Sequence, residues 1–241
     1  MTTIPDFQRA LAALAAGLLL AVPASAAADW TGSGELGLVF ARGNSDTETV
    51  NAGFELRYEQ DRWTNTLKSS YLRSENDGEL DASRFLVSNN TLYDLTERSY
   101  LVGSARYDQD KFSSFEYQAT AGLGYGYRIL DGESHTLSVE AGPGVRFSEE
   151  RDSGESETKL IARGALDYAW QISETAQLEN ALLVESGSSN TFVENALSLE
   201  VAINSAMSLK TGVAVRHNTD VAAGRDNTDV LSTVNLVYSF D

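Results

Sequence analysis

Cysteine is absent from this sequence, and histidine occurs only twice, at His135 and His217. Without a thiol there is no disulfide framework, no thiolate nucleophile and no cysteine-ligated metal site. Basic residues are scarce too: 18 Lys and Arg stand against 35 Asp and Glu, for a formal charge of -17. Nucleic-acid binding needs a basic face to meet phosphates, and no segment offers one. Nor is any segment beyond the first two dozen residues apolar enough to anchor the chain in an inner membrane. The one apolar run, Ala10–Val22, follows Arg9 and leads into Pro23-Ala-Ser-Ala-Ala-Ala28. A short apolar core ending in small residues of A-x-A type predicts a secretory signal peptide over residues 1–26, cleaved after Ala26 or, as second choice, after Ala28. A spanning helix would need about 20 apolar residues. Residues 27–241 are then the mature domain.

What the mature chain has in abundance is a period of two. In Thr47–Glu59, Val50, Ala52, Phe54, Leu56 and Tyr58 alternate with Thr49, Asn51, Gly53, Glu55 and Arg57. Such alternation predicts a strand with one apolar and one polar face. Applied along the chain, the rule predicts about twelve strands: Trp30–Ala41, Thr47–Glu59, Trp63–Ser74, Ala82–Tyr93, Ser99–Gln109, Phe115–Ile129, Thr136–Ser148, Thr158–Trp170, Ala176–Ser186, Thr191–Ile203, Met207–His217 and Thr228–Phe240. They exceed the usual five or six or so residues of strands in soluble proteins and suit a tilted membrane crossing. The fourth departs from pattern, because Asn89 and Thr91 share a face with Phe85, Val87 and Tyr93.

Short connections at 60–62, 94–98, 171–175 and 204–206 alternate with longer, acidic ones at 75–81, 149–157 and 218–227. An even strand number with that alternation is the plan of an all-β, transmembrane antiparallel barrel of outer-membrane type. Aromatic residues gather at predicted strand ends, Trp30, Tyr58, Trp63, Tyr93, Tyr127, Tyr168 and Trp170 at one side and Phe40, Tyr71, Phe85, Tyr107, Phe115 and Phe147 at the other. These are the two interfacial girdles of such a barrel. A soluble, secreted barrel or sandwich is the competing architecture. The chain ends in Tyr238-Ser-Phe240-Asp241, close to the terminal aromatic signal that barrel assembly machinery reads.

If the apolar face meets lipid, the polar face lines a lumen. Its acids are Glu35, Glu55, Asp108, Glu116, Glu140, Asp167, Glu179, Glu185, Glu194, Glu200 and Asp229. Its bases are Arg57, Lys68, Arg84, Arg106, Arg128, Arg146, Lys159, Arg163, Lys210 and Arg216. The two sets nearly balance, and charges in a narrow interior are costly unless paired, so cross-strand ion-pair networks are expected. They serve equally a filled, stabilising lumen or a pathway for ions and small solutes. The net charge sits in the loops, where Asp46, Glu75, Asp77, Glu79, Asp81, Asp110, Glu149, Glu150, Asp152, Glu155, Glu157, Asp220 and Asp226 face only Arg42, Lys111, Arg151 and Arg225. Such a rim is either a solvated acidic surface or a place where divalent ions bridge to lipopolysaccharide. The segment Glu75–Asp81, ENDGELD, lacks the ligand spacing of a calcium loop.

Catalytic signatures are missing: no H-E-x-x-H or G-x-S-x-G occurs. His217, near Asp220 and Asp226, is the one place where an Asp–His pair could activate water. The stretch GLGYGYR, Gly122–Arg128, superficially suggests a phosphate loop, but no helical period follows it. Its glycines fall on the predicted lumen face, where missing side chains leave room for Arg57, Arg146 or a solute.

Five segments in order, WTGSGELGLVFARGNSDT (30–47), LYDLTERSY (92–100), RYDQDKF (106–112), GLGYGYRI (122–129) and GPGVRF (142–147), resemble the salt-induced outer membrane protein family, also called domain of unknown function 481. The resemblance implies an outer-membrane location in a Gram-negative bacterium and a link to salt or acid stress. It brings no substrate, cofactor or catalytic residue. The functional expectation is a non-enzymatic barrel without cofactor, either a narrow ion or small-solute channel or an envelope stress protein. The alternatives are a structural or adhesive barrel with cation-binding acidic loops and, last, a surface hydrolase. Its expected partners are outer-membrane lipid and lipopolysaccharide, ions or small solutes, and assembly machinery reading Tyr238 and Phe240.

Overall fold

The computed structural model describes residues 29–41, 47–221 and 224–240. Residues 1–26, where the signal peptide is expected, lie outside this range. Twelve strands follow one another: β1 (Asp29–Ala41), β2 (Thr47–Gln60), β3 (Trp63–Asn76), β4 (Glu79–Asp94), β5 (Ser99–Asp110), β6 (Phe115–Asp131), β7 (His135–Glu150), β8 (Ser156–Ser173), β9 (Ala176–Gly187), β10 (Thr191–Ala202), β11 (Met207–Asn218) and β12 (Thr228–Phe240). Each pairs antiparallel with its sequence neighbour, and β12 returns to β1 to close the barrel. Closure gives nearly every backbone N–H and C=O a partner within the wall, which hydrocarbon demands. No helix among the described residues is long and apolar enough to cross a membrane.

The period of two sorts the side chains as expected. Leu36, Phe54, Leu123, Leu160, Leu197, Val213, Val230 and Val234 stand exposed on the outside of the wall. At the end where β1 begins and β12 ends, Trp30 packs on Tyr58 with ring centroids 4.8 Å apart, and Trp63 on Tyr93 at 4.7 Å. His135 stacks there on Trp170 and Tyr168. Near the opposite rim Tyr107 stacks on Tyr117 at 5.8 Å. The side chain of Phe40 lies outside the described ones.

The loops are shorter than the sequence suggested. The segment Glu75–Asp81 is not a long loop: β3 and β4 run on to a tight turn at Asp77 and Gly78, both with positive φ of 51° and 81°. An Asp-Gly pair in that backbone conformation is the favoured two-residue hairpin, whose twist matches the flanking strands. Likewise β8 starts at Ser156, leaving only 151–155 as connection. The connection between β11 and β12 runs from 219 to 227, longer than those of 151–155 and 77–78.

The polar residues of β4 also find their explanation. Asn65 Nδ2 donates to Asn89 Oδ1 at 3.2 Å and to Thr91 Oγ1 at 2.7 Å, while Asn89 Nδ2 donates back to Asn65 Oδ1 at 3.0 Å. The trio points outward but satisfies itself, so lipid meets few free polar atoms.

Among the glycines, Gly142 on the β6–β7 seam meets neighbouring backbone most closely. Pro143 has no N–H, and the ladder breaks between Gly122↔Gly144 and Tyr125↔Ala141. A Cβ at Gly142 would stand 2.0 Å from the Leu123 carbonyl oxygen and 2.5 Å from Gly124 Cα. Both neighbours are backbone and cannot step aside. Gly142→Ala is therefore expected to destabilise the barrel by about 1–3 kcal/mol, as overpacking does. Gly34→Ala, with nothing within 4 Å, should not. Urea-unfolding midpoints of the detergent-refolded proteins, read by tryptophan fluorescence, check the contrast.

Candidate functional site

Charged side chains on the inner face of the strands meet their partners inside the barrel. The most connected group is a belt in the outer half of the lumen. Arg84 on β4 grips Asp108 on β5 with two bonds, Nε to Oδ1 at 2.8 Å and Nη2 to Oδ2 at 2.5 Å. Arg106 Nη2 lies 3.1 Å from the same carboxylate. Both arginines then reach Glu194 on β10, at 3.5 Å and 3.4 Å. The strands β6 to β9 separate β5 from β10 around the ring, so these bonds cross the lumen rather than follow the wall. Arg106 also lies over the Phe192 ring, 4.7 Å from its centroid. Arg216 on β11 faces Asp110 on β5 at 3.8 Å, a second crossing. Fork-shaped guanidinium groups suit this role because one can bridge two carboxylates while staying charged.

The belt divides two spaces. Outside it lies a vestibule of about 240 Å³ lined by Asp110, Phe112, Phe192, Arg216, Arg225, Asp226 and Asp229 among others. Inside it lies a chamber of about 550 Å³ whose lining includes Glu35, Glu55, Asp167, Glu179, Glu185, Glu194 and Glu200, against Lys68, Arg106, Arg163 and Lys210. Seven carboxylates line it against four cations, with Glu185 and Glu194 also held from behind by Arg146 and Arg84, and low-dielectric walls focus the field of the rest.

The wall from β5 to β9 is filled. Tyr100 on β5 is 2% exposed and lies in the hollow left by Gly126, where a Cβ would stand 2.2 Å from its ring. Its hydroxyl donates to Glu140 Oε1 at 3.2 Å, and Arg163 holds the other oxygen of Glu140 at 2.8 Å. Arg128 covers the Tyr100 ring and binds Asp94 at 2.7 Å. Arg146 binds Glu185 at 3.1 Å, with Thr120 donating to the other Glu185 oxygen at 3.2 Å. The space vacated by the GLGYGYR glycines thus holds Tyr100 at Gly126, Val102 at Gly124 and the Arg163 side chain at Gly122, while Arg57 and Arg146 turn to Glu59 and Glu185.

The remaining residues divide between lumen and rims. Lys68 binds Glu55 at 2.9 Å, Lys210 faces Glu179 at 3.8 Å, and Glu200 accepts from Ser208 at 2.5 Å. Glu35 accepts from Asn235 at 3.1 Å. Arg57 turns to Glu59 at the rim where β1 begins and β12 ends, half exposed. Glu116 meets Arg151 of the loop after β7, and Lys159 pairs with Glu157 at 2.5 Å and donates to Ser189. Tyr100, Phe192 and Asn235 are not singled out in the sequence, and Asp110, expected among the loop acids, is the last residue of β5. Tyr100 and Asp110 share the face of Arg106 and Asp108, so parity alone could have found them.

His217 Nδ1 is 2.9 Å from Thr228 Oγ1, on the outside of the wall, and the Asp–His pairing with Asp220 or Asp226 is not formed. Among the described residues no group of three or more His, Asp or Glu side chains is placed to hold a metal ion.

Residues 34–240 match the model of a family described as "Protein of unknown function, DUF481". The chain belongs to the DUF481 family. It is similar to YdiY of Escherichia coli strain K12, described as uncharacterized, at 26% identity over 218 residues, 90% of this chain and 86% of that one. Among solved structures, the COG4313 outer membrane channel from Pseudomonas putida F1 superposes with a TM-score of 0.53 at 10% identity, covering 90% of this chain and 97% of that one. The NanC porin gives 0.49 at 11% identity, over 88% and 98%. The DUF481 chain shares the architecture of outer-membrane barrels.

The pair Arg146–Glu185 is the driest in the lumen, the two side chains being 6% and 4% exposed. Breaking a buried pair on one side leaves an uncompensated charge, so Glu185→Gln should cost about 3–5 kcal/mol. Replacing both, Arg146→Met with Glu185→Leu, should recover most of it. A double-mutant cycle on urea midpoints decides; equal losses in the single and the double variant would refute the account.

Proposed function

We propose that this protein is a narrow outer-membrane channel for ions and small solutes, with a preference for cations, that rests closed at the Arg84–Arg106–Asp108–Glu194 belt. The observation that carries the reading is the belt itself. It ties opposite walls of the barrel and separates the vestibule from an acidic chamber. A barrel whose lumen served only as filling has no need of such a chamber, whereas a pathway needs a wide, charged reservoir behind its constriction. The outer-membrane location rests on the outward apolar face, the aromatic ends and the likeness in fold to outer-membrane channels. Within this reading, residues 1–26 are the cleaved export signal, and Tyr238 and Phe240, both on the outward face of the closing strand, are what assembly machinery reads. The protein is then a conduit, not an enzyme.

Planar-bilayer recordings of refolded protein test this. Wild type should give small, infrequent steps whose reversal potential in a salt gradient indicates cation preference. Arg84→Gln with Arg106→Gln removes the bulky cations of the belt, and both conductance and cation preference should rise. Wild type and variant equally silent in every salt would sink the channel reading.

A further inference from the structure

Eleven of the twelve seams are paired along most of their length, but the one that closes the barrel is not. The β1–β12 ladder runs from Gly32↔Phe240 to Leu36↔Leu236 and stops there. Above that point β1 continues to Ala41, still paired with β2, and β12 continues up to Thr228, still paired with β11. The next residues of this register, Gly37 to Ala41 beside Asn235 to Leu231, form no ladder. Unpaired backbone facing hydrocarbon is costly, so an interrupted seam at membrane depth marks either a weak point or an opening.

Three features mark it as an opening. The flanks are apolar: Leu38, Val230 and Val234 are exposed to the lipid side at 51%, 65% and 62%, and Val39, on the lumen face, is exposed at 55%. The base of the interruption is pinned by polar bonds. Asn235, 4% exposed, donates to Glu35 on β1 and accepts from Asn51 on β2 at 3.1 Å each, just where the ladder ends. Third, Glu35 of this clasp also lines the acidic chamber, so the opening begins at its wall while the axial route outward is crossed by the belt.

The strands still touch at Gly37, where a Cβ would stand 2.7 Å from the Val234 carbonyl oxygen; we infer that the wall between β1 and β12 parts above this contact to pass a single-chain amphiphile, its apolar chain against Leu38, Val39 and Val234 and its polar head toward the lumen. The lipid side of the parting meets acyl chains already, and a solute leaving through it trades one apolar surface for another. A head group with hydrogen-bond donors fits best, since the Glu35 carboxylate stands on the chamber wall at the base of the parting.

The chain has no cysteine of its own, so the parting can be stapled cleanly. A Leu38→Cys, Val234→Cys variant joins the two edges when oxidised. The probe is a dansylated single-chain alkylamine added to protein in nanodiscs, with binding read from dansyl emission. Binding should be present in wild type and in the reduced variant, lost on oxidation and restored by reductant. In wild type, amide exchange measured by mass spectrometry should be faster at 37–39 and 231–235 than at 32–36. Amides there protected like their neighbours, or dansyl binding that survives oxidation, would overturn the inference. Conductance of the oxidised variant in the planar bilayer reads the axial channel separately, and it should be unchanged.

Discussion

Hydrocarbon offers a backbone no hydrogen bonds, and the structure follows from that constraint. A chain of alternating polar and apolar residues can cross such a medium only as strands closed on themselves, with apolar side chains outward. Closure then forces every second residue into a confined interior. A sequence with a balanced set of acids and bases on that parity must solve an electrostatic problem there, because each charge loses water on entering. The solution is pairing. Arg84 with Asp108, Arg163 with Glu140, Arg146 with Glu185 and Lys68 with Glu55 leave few charged groups without an opposite neighbour.

Pairing between adjacent strands would suffice for stability alone. The reach of Arg84 and Arg106 to Glu194 goes further, since it fixes the distance between opposite walls. A barrel of this size left to itself is an elastic ring. Cross-lumen bonds set its cross-section and place a charged barrier between the vestibule and the chamber. The same bonds are weaker than covalent ties and respond to field, ionic strength and solute, which suits a constriction that must also release.

Much of this was legible in the sequence because parity is a strong signal over long strands. All twelve strands, the lumen face and the terminal aromatics follow from alternation, with boundaries displaced by a few residues. The loops were less legible: ENDGELD looks like a polar loop because its composition is acidic, yet Asp77-Gly78 turns the chain in two residues and the acids belong to strand ends. Partners were the least legible. Alternation says that Arg106 and Glu194 face inward, but that they meet depends on strand number, shear and diameter, which no local pattern encodes. The glycines of β6 leave space on the lumen side, but alternation does not name what fills it: Tyr100 at Gly126 lies on the preceding strand and shares only parity with Arg106, and Arg163 at Gly122 lies two strands on.

The belt also divides the barrel into unequal halves. The arc from β5 to β9 is dry: Arg146 and Glu185 are 6% and 4% exposed, Arg163 and Glu140 14% and 8%. The arc through β12, β1, β2 and β3 is wet, with Lys68 and Glu55 at 55% and 38%. Packing and dry ion pairs make the first arc stiff, while the second carries the interrupted β1–β12 seam. A closed ring under strain deforms where it is least braced. Any parting of the wall is therefore taken up on the side of β1 and β12, away from the cross-lumen bonds at Glu194, which join the two ends of the braced arc.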